Sequence, residues 1–306
     1  MITIILLNEK RDVGMNYKNV TVAGSGVLGS QIAFQTAFKG FNVFVYDIHD
    51  EALKNAKGHF KRLMSNYQRD LNATEDEVRD AYERINYSSD LATAVADADL
   101  VIEAIPEVVQ IKTDFYTKLG QLAPEKTIFA TNTSTLLPSM FAEATGRPEK
   151  FLALHFANEI WKNNTAEIMK HTGTNEKVFE DVIEFAKAIG MVALPLHKEQ
   201  PGYILNSLLV PLLDAAQALL IKEVADPETI DRTWRVATGA PLGPFAILDV
   251  VGITTAYNIA SAKAKLGNKH SEKVAHFLKT EYIDKGKLGV ATGEGFFKYP
   301  ELTTTK

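Results

Sequence analysis

The sequence predicts an α/β domain on a mostly parallel, doubly wound sheet, followed by an all-α C-terminal domain. Three observations carry this. Up to about residue 200, short apolar segments of strand length alternate with longer helical patterns. That alternation gives a parallel sheet covered by helices. A glycine-rich turn stands between the first strand and the first helix. After Gln200-Pro201-Gly202 the helical patterns continue and no clear strand follows.

Taken in order, Met1–Leu7 is a short apolar run followed by NEKRD. It has no preceding basic residue and no small-residue cleavage site, so it does not read as a signal peptide. Residues 1–15 are read as an extension outside the fold, 16–200 as the α/β domain and 201–306 as the helical domain. Val20–Ala23, Asn42–Tyr46, Leu100–Ala104, Thr127–Thr131 and Phe151–Phe156 read as buried strands. Ala166–Met169 and Val192–Leu196 read as two more. Helices are expected over Leu28–Lys39, Asp50–Gln68, Thr74–Glu83 and Asn175–Ile189. Thr74 followed by Glu77 is a capping box. Tyr203–Glu223 is apolar on most faces, which predicts a helix buried on all sides and kinked at Pro211. Pro227–Thr238, Gly252–Leu266 and Ser271–Tyr282 read as helices, and Gly239–Phe245 as a loop.

Composition excludes several classes. The 306 residues carry a formal net charge of -5 and no cysteine. Disulfides, thiolate metal sites and a cysteine nucleophile are excluded, and no metal site is expected. No broad basic field calls for nucleic acid. No uninterrupted apolar run approaches membrane-spanning length, so no membrane partner is expected and a cytoplasmic location is the default.

Residues 20–29 read VTVAGSGVLG, a G-x-G-x-x-G at Gly24, Gly26 and Gly29. The pattern alone is weak, but here a strand precedes it and a helix follows. Asp47 closes the second strand 23 residues after Gly24. This is the context of a dinucleotide-binding Rossmann turn. Gly24 permits the tight turn, Gly26 the approach of a pyrophosphate, and Gly29 close helix packing. Ser25, Val27 and Leu28 complete the phosphate loop at a helix N-terminus. Asp47 would accept from ribose hydroxyls and repel a 2′-phosphate, which favours NAD over NADP. The competing reading is a ligand-free turn with Asp47 capping the next helix. Glu107, in Glu103-Ala-Ile-Pro-Glu107, and Lys112 on the following helix are assigned to the cofactor side; the alternative is a surface ion pair. Asn132 and Ser134, in the NTST run after the strand Thr127–Thr131, are grouped with them.

Oxidation of a secondary alcohol needs a base for the hydroxyl proton, and histidine suits this near neutral pH. Of seven histidines, His155 alone ends an apolar strand. Glu167, 12 residues on, could orient its ring. Ser134 could hydrogen-bond the substrate oxygen, and Asn158 and Asn206 could donate where negative charge develops. His155, Glu167 and Ser134 each have an alternative: a core histidine, a strand-edge carboxylate, and a helix N-cap for Thr135–Ala144.

The order GSGVLG, EAIPE, NTST, LHFAN with AEIM, PGYILNS, GAPLGPF and GEGFF resembles the L-3-hydroxyacyl-CoA dehydrogenase family from about Lys18 to Tyr299. The resemblance implies NAD-linked interconversion of 3-hydroxyacyl and 3-ketoacyl thioesters, with a helical domain that makes a homodimer. It implies His155 as acid/base, Glu167 as its partner, and Ser134 and Asn206 as polar contacts to substrate. The chain departs from the family after His155. Where an FNPVPVM-type run is usual, Asn158–Asn164 reads NEIWKNN, which puts Trp161 beside the substrate. At positions that contact CoA in the family stand Arg62 and Arg69. This segment is more similar to the diketoreductase branch, which reduces diketo esters without CoA. A non-catalytic NAD-binding protein is the alternative of another class.

Overall fold

The computed structural model describes residues 17–299; the reading of residues 1–15 falls outside them. The chain divides into two compact units, the first ending at Ile204 and the second starting at Leu205.

In the first unit the elements run β1 (Asn19–Ala23), α1 (Val27–Phe38), β2 (Asn42–Tyr46), α2 (Asp50–Leu71), α3 (Glu75–Glu83), β3 (Ile85–Ser88), α4 (Leu91–Val95), β4 (Leu100–Glu103), α5 (Val109–Leu122), β5 (Ile128–Thr131), β6 (Phe151–Phe156), β7 (Thr165–Met169), α6 (Glu176–Ala188) and β8 (Val192–Leu196). They form one sheet in the order β3-β2-β1-β4-β5-β6-β7-β8. Every neighbouring pair is parallel except β6–β7. The strand order reverses between β1 and β4, which opens a crevice beyond their carboxyl ends.

The inner strands are buried on both faces, so they read as unbroken apolar runs rather than alternations. Side chains still alternate in direction. Leu100 and Ile102 join one core with Val20, Val22, Phe34 and Phe60. Val101, between them, joins the opposite core with Leu119, Phe129 and Phe151. The capping box forms: Thr74 Oγ1 accepts from the Glu77 amide and Glu77 Oε2 from the Thr74 amide.

Two short elements of this unit, β3 and α4, go beyond the expected ones. β3 was not anticipated, because INYS is short and only partly apolar. The helix that the alternative reading of Ser134 placed over Thr135–Ala144 does not form; only single 3₁₀ turns stand at Pro138–Met140 and Glu143–Thr145. Pro138 forces Leu137 into an extended conformation, φ -96° and ψ 142°, which a helix cannot pass through.

α7 (Tyr203–Ile221) begins in the first unit with Tyr203 and Ile204; from Leu205 on it belongs to the second, with α8 (Pro227–Thr238), α9 (Pro244–Val251), α10 (Ile253–Lys265) and α11 (Lys269–Glu281). The core of the second unit gathers Leu213, Ala216, Phe245, Leu248, Ile253 and Leu278. α9 takes in the last two residues of the expected loop Gly239–Phe245; Pro244 is its first residue, where the missing N–H costs nothing. α7 runs without a break through Pro211. It is not buried on all sides: Leu208 is 70% exposed. By length and composition it is apolar enough to cross a membrane.

Candidate active site

The glycine turn is shaped by its own backbone. Gly24 has φ +104°, and a Cβ there would stand 2.4 Å from the Ala104 carbonyl oxygen. A Cβ on Gly29 would stand 2.0 Å from the Gly24 oxygen. A Cβ on Gly26 would meet nothing within 4 Å, so that side of the turn opens outward. Gly26 caps α1 without a side-chain hydrogen bond, which leaves the first-turn amides facing a would-be phosphate. Asp47 Oδ2 accepts from the Ser25 amide (2.9 Å) and hydroxyl (2.7 Å). Asp47 therefore braces the turn rather than capping the next helix, whose N-cap is His49. A cavity of about 670 Å³ opens here, lined by Gly24, Ser25, Gly26, Asp47, Ile105 and Phe115 among others. The cradle, the uncapped helix end and the carboxylate at the end of β2 fit a dinucleotide. Gly24–Gly29 would hold its pyrophosphate and Asp47 its ribose.

The end of β4 carries a buried ionic network. Glu103 and Lys112 are 0% and 1% exposed. Lys112 Nζ donates to Glu103 Oε1 at 2.5 Å. The same carboxylate accepts from the Ile105 amide, the Tyr116 hydroxyl and the Thr131 hydroxyl. Lys112 also lies 3.2 Å from Glu107 Oε2. The surface-pair reading of Glu107 and Lys112 fails, because Lys112 is inside. Glu107 in turn holds the loop after β5. Its Oε1 accepts from the Thr133 hydroxyl, the Ser134 and Thr135 amides at 3.1 Å each, and the Thr135 hydroxyl at 3.0 Å. Burial opposes its ionisation, but those bonds and the Lys112 charge outweigh it and keep its carboxyl below the usual range.

That loop delivers Ser134 to His155. Ser134 Oγ lies 3.2 Å from His155 Nε2, and His155 Nδ1 lies 3.2 Å from Glu167 Oε2. The pair owes its meeting to register. In the antiparallel β6–β7 ladder, His155 and Glu167 are direct cross-strand partners and share a face. Both are buried, 7% and 4% exposed. Glu167 Oε1 accepts from the Ile204 amide at 2.9 Å, which fixes the carboxylate. The Tyr203 ring stacks on the imidazole, 4.5 Å between centroids and 18° between planes. With Glu167 as acceptor, the hydrogen-bond network assigns the proton to Nδ1. Nε2 is then the nitrogen that can take or give a proton beside Ser134. Asn132 supports the strand end, its Oδ1 accepting from the Phe156 amide at 2.9 Å.

Asn158 is exposed at the start of the β6–β7 loop, and Trp161 is 7% exposed within it. Asn206 is half-buried on α7, in the second unit. The structure thus brings Ser134, His155 and Glu167 together with Asn132 and Glu107 behind them. Among the described residues no group of three His, Asp or Glu side chains is placed to hold a metal.

Residues 19–200 match the NAD-binding domain of 3-hydroxyacyl-CoA dehydrogenase, and residues 202–299 match its C-terminal domain. The chain belongs to the 3-hydroxyacyl-CoA dehydrogenase family. Within the family it is 35% identical to the human mitochondrial hydroxyacyl-coenzyme A dehydrogenase over 92% of this chain and 91% of that one. It is 34% identical to a probable 3-hydroxybutyryl-CoA dehydrogenase of Bacillus subtilis over 95% and 100%. Among solved structures it resembles a diketoreductase described by its substrate-directed dual catalysis of dicarbonyl compounds, with 60% identity, TM-score 0.89 and coverage of 92% and 99%. It also resembles the (S)-3-hydroxybutyryl-CoA dehydrogenase of Ralstonia eutropha, with 26% identity, TM-score 0.80 and coverage of 93% and 100%. As a member of this family the chain is an oxidoreductase that uses NAD.

Sequence reasoning missed several supports of the family site. Glu103 read as the end of an apolar strand, and only its burial beside Lys112 shows its part. Tyr203 read as a core helix residue.

Proposed function

We propose that this site interconverts a secondary alcohol and a ketone at the third carbon of an acyl chain, with His155 exchanging the proton. The observation that carries this is the Ser134–His155–Glu167 chain of contacts at the carboxyl end of β6. NAD, when bound, takes up or supplies the electron pair with its hydrogen. His155 Nε2 takes the hydroxyl proton in oxidation and returns it to the ketone oxygen in reduction. Glu167, on Nδ1, holds the ring in one tautomer and stabilises the imidazolium that forms. Ser134 Oγ, fixed through the Glu107-bound loop, donates to the reacting oxygen. Asn158 and Trp161 are assigned the wall beside the substrate. The intact Ser134, His155 and Glu167 set speaks against a non-catalytic NAD-binding role.

Two substrate classes fit this chemistry. The family relatives are named for CoA thioesters; the diketoreductase likeness at 60% identity supports a free dicarbonyl ester, which we favour. Oxidation of NADH, measured in parallel with acetoacetyl-CoA and a 3,5-diketo ester, tests the choice. A strong preference for the thioester would overturn the second class. Absence of turnover with both would overturn the reaction itself.

Glu167→Gln is expected to lower kcat by about 10²-fold or more. The amide can accept only one of the two bonds that Glu167 now takes, from Nδ1 and from the Ile204 amide. Steady-state kinetics at saturating NADH checks this; an unchanged kcat would leave His155 without its partner. The exposed apolar residues of the second unit, Leu208, Val236 and Leu266, support a homodimer, which sedimentation would reveal.

A further inference from the structure

The loop joining β6 to β7, residues 157–164, is anchored at two points. Ile160 and Trp161 are buried, 0% and 7% exposed. From α1, Gln31 Oε1 accepts from the amides of Glu159 (2.8 Å) and Ile160 (3.3 Å). Glu159 stands in the left-handed region, φ +57°, a conformation that persists in a non-glycine residue only where its surroundings impose it. The second anchor is Asp70, near the end of α2. Its Oδ2 accepts from the Trp161 indole N–H at 2.9 Å and lies 3.0 Å from Lys162 Nζ. Arg69 grips the same carboxylate with two bonds of 2.8 Å. The Arg69 hydrogen bond, with those from Trp161 and Lys162, holds the Asp70 carboxyl well below the usual range.

One carboxylate therefore satisfies two cations and an indole. Packing alone, with Tyr67 5.6 Å away, would let the Trp161 ring slide or tilt. The hydrogen bond to a charged acceptor gives it a single orientation. In that orientation Trp161 walls a cavity of about 300 Å³ whose other sides include Val27, Gln31, His59, Arg62 and Asn66. Val27 belongs to the glycine turn, and Trp161 is six residues along the chain from His155. The cavity thus adjoins the cofactor cradle, and its Trp161 wall belongs to the loop that leaves the strand of His155.

We infer that Asp70 is a positioning residue for substrate choice, an inference that rests on the reaction proposed above. Asp70 holds Trp161 as a fixed wall, and the wall selects a compact dicarbonyl ester over an acyl chain tied to a bulky thioester carrier. Asp70 acts through the indole, to which it is hydrogen-bonded.

The test compares Asp70→Ala, Trp161→Phe and Lys162→Met with the unaltered chain, on the ethyl ester of 3,5-dioxohexanoic acid and on acetoacetyl-CoA, with NADH saturating. The readout is the ratio of kcat/KM for ester over thioester. It is expected to fall about tenfold or more in Asp70→Ala and in Trp161→Phe, which keeps a ring but lacks the N–H. Lys162→Met, which removes one partly exposed ion pair, is expected to move it less than about threefold. A ratio that stays constant in Asp70→Ala, or equal losses on both substrates, overturns the inference. A second arm does not depend on turnover. The chain has two tryptophans, so in a Trp234→Phe background Trp161 is the sole indole. Titrating the diketo ester into the NAD-loaded protein is expected to quench its emission saturably, and Asp70→Ala to weaken that binding about tenfold. Unchanged emission overturns the role of Trp161. If the unaltered chain turned over neither substrate, the reaction assignment would fall, and the emission arm would still decide for Asp70.

Discussion

Turnover of a His155→Ala variant is expected to fall about 10²- to 10⁴-fold, the range that a positioned acid/base group supplies. NADH binding is expected to survive, because the glycine turn and Asp47 are built on β1 and β2, with β4 and β5 standing between them and β6. No neighbour replaces the lost nitrogen in kind. Ser134 Oγ is a poor base on its own, and Glu167 lies on the far side of the ring, on Nδ1. Single-turnover absorbance of NADH gives the chemical step, and fluorescence titration of NADH gives the affinity. Near-normal turnover would sink the assignment of His155. A joint loss of turnover and NADH affinity would show that the substitution had damaged the fold instead.

The second large effect is on stability. Glu103→Ala is expected to lower the unfolding free energy by about 3–5 kcal/mol, the usual result of stranding one charge of a buried pair. Lys112, 1% exposed, would keep only the more distant Glu107 carboxylate at 3.2 Å. The Tyr116 and Thr131 hydroxyls would lose their acceptor as well. Urea denaturation followed by circular dichroism reads the difference. The double variant Glu103→Met with Lys112→Met is expected to recover much of the loss, because it removes both charges together. If the single variant proved as stable as the unaltered chain, water would have to reach Lys112, and the network would be looser than its geometry says.

The parallel strands were legible because burial on both faces leaves an apolar run that no surface element imitates. The glycine turn was legible because its neighbours demand it: Gly24 and Gly29 have backbone atoms where a Cβ would stand. The members Ser134, His155 and Glu167 could be guessed from polar residues at strand ends, but spacing alone does not make them meet. Their meeting depends on which strand pairs with which, and in what direction. β6–β7 is antiparallel within an otherwise parallel sheet, and strand direction leaves no mark in a run such as TAEIM. The supporting residues were harder still. Asp70 ends an amphipathic helix among other charged side chains, and only its contacts distinguish it. That the alternative helix after Ser134 does not form has a local cause in Pro138, which holds Leu137 extended against a run of good helix formers.

The β6–β7 hairpin separates two kinds of change. Strand pairing has a period of two, so a slip of a single residue between β6 and β7 would turn Glu167 to the opposite face and dissolve the pair with His155. Substitutions within residues 157–164 leave that pairing untouched. A lineage can therefore exchange residues of this loop one at a time, each intermediate keeping the pairing of His155 with Glu167. A single mispairing event, by contrast, ends catalysis whatever the substrate. Innovation in this enzyme has a tolerant place to occur, and it begins two residues past its most intolerant one.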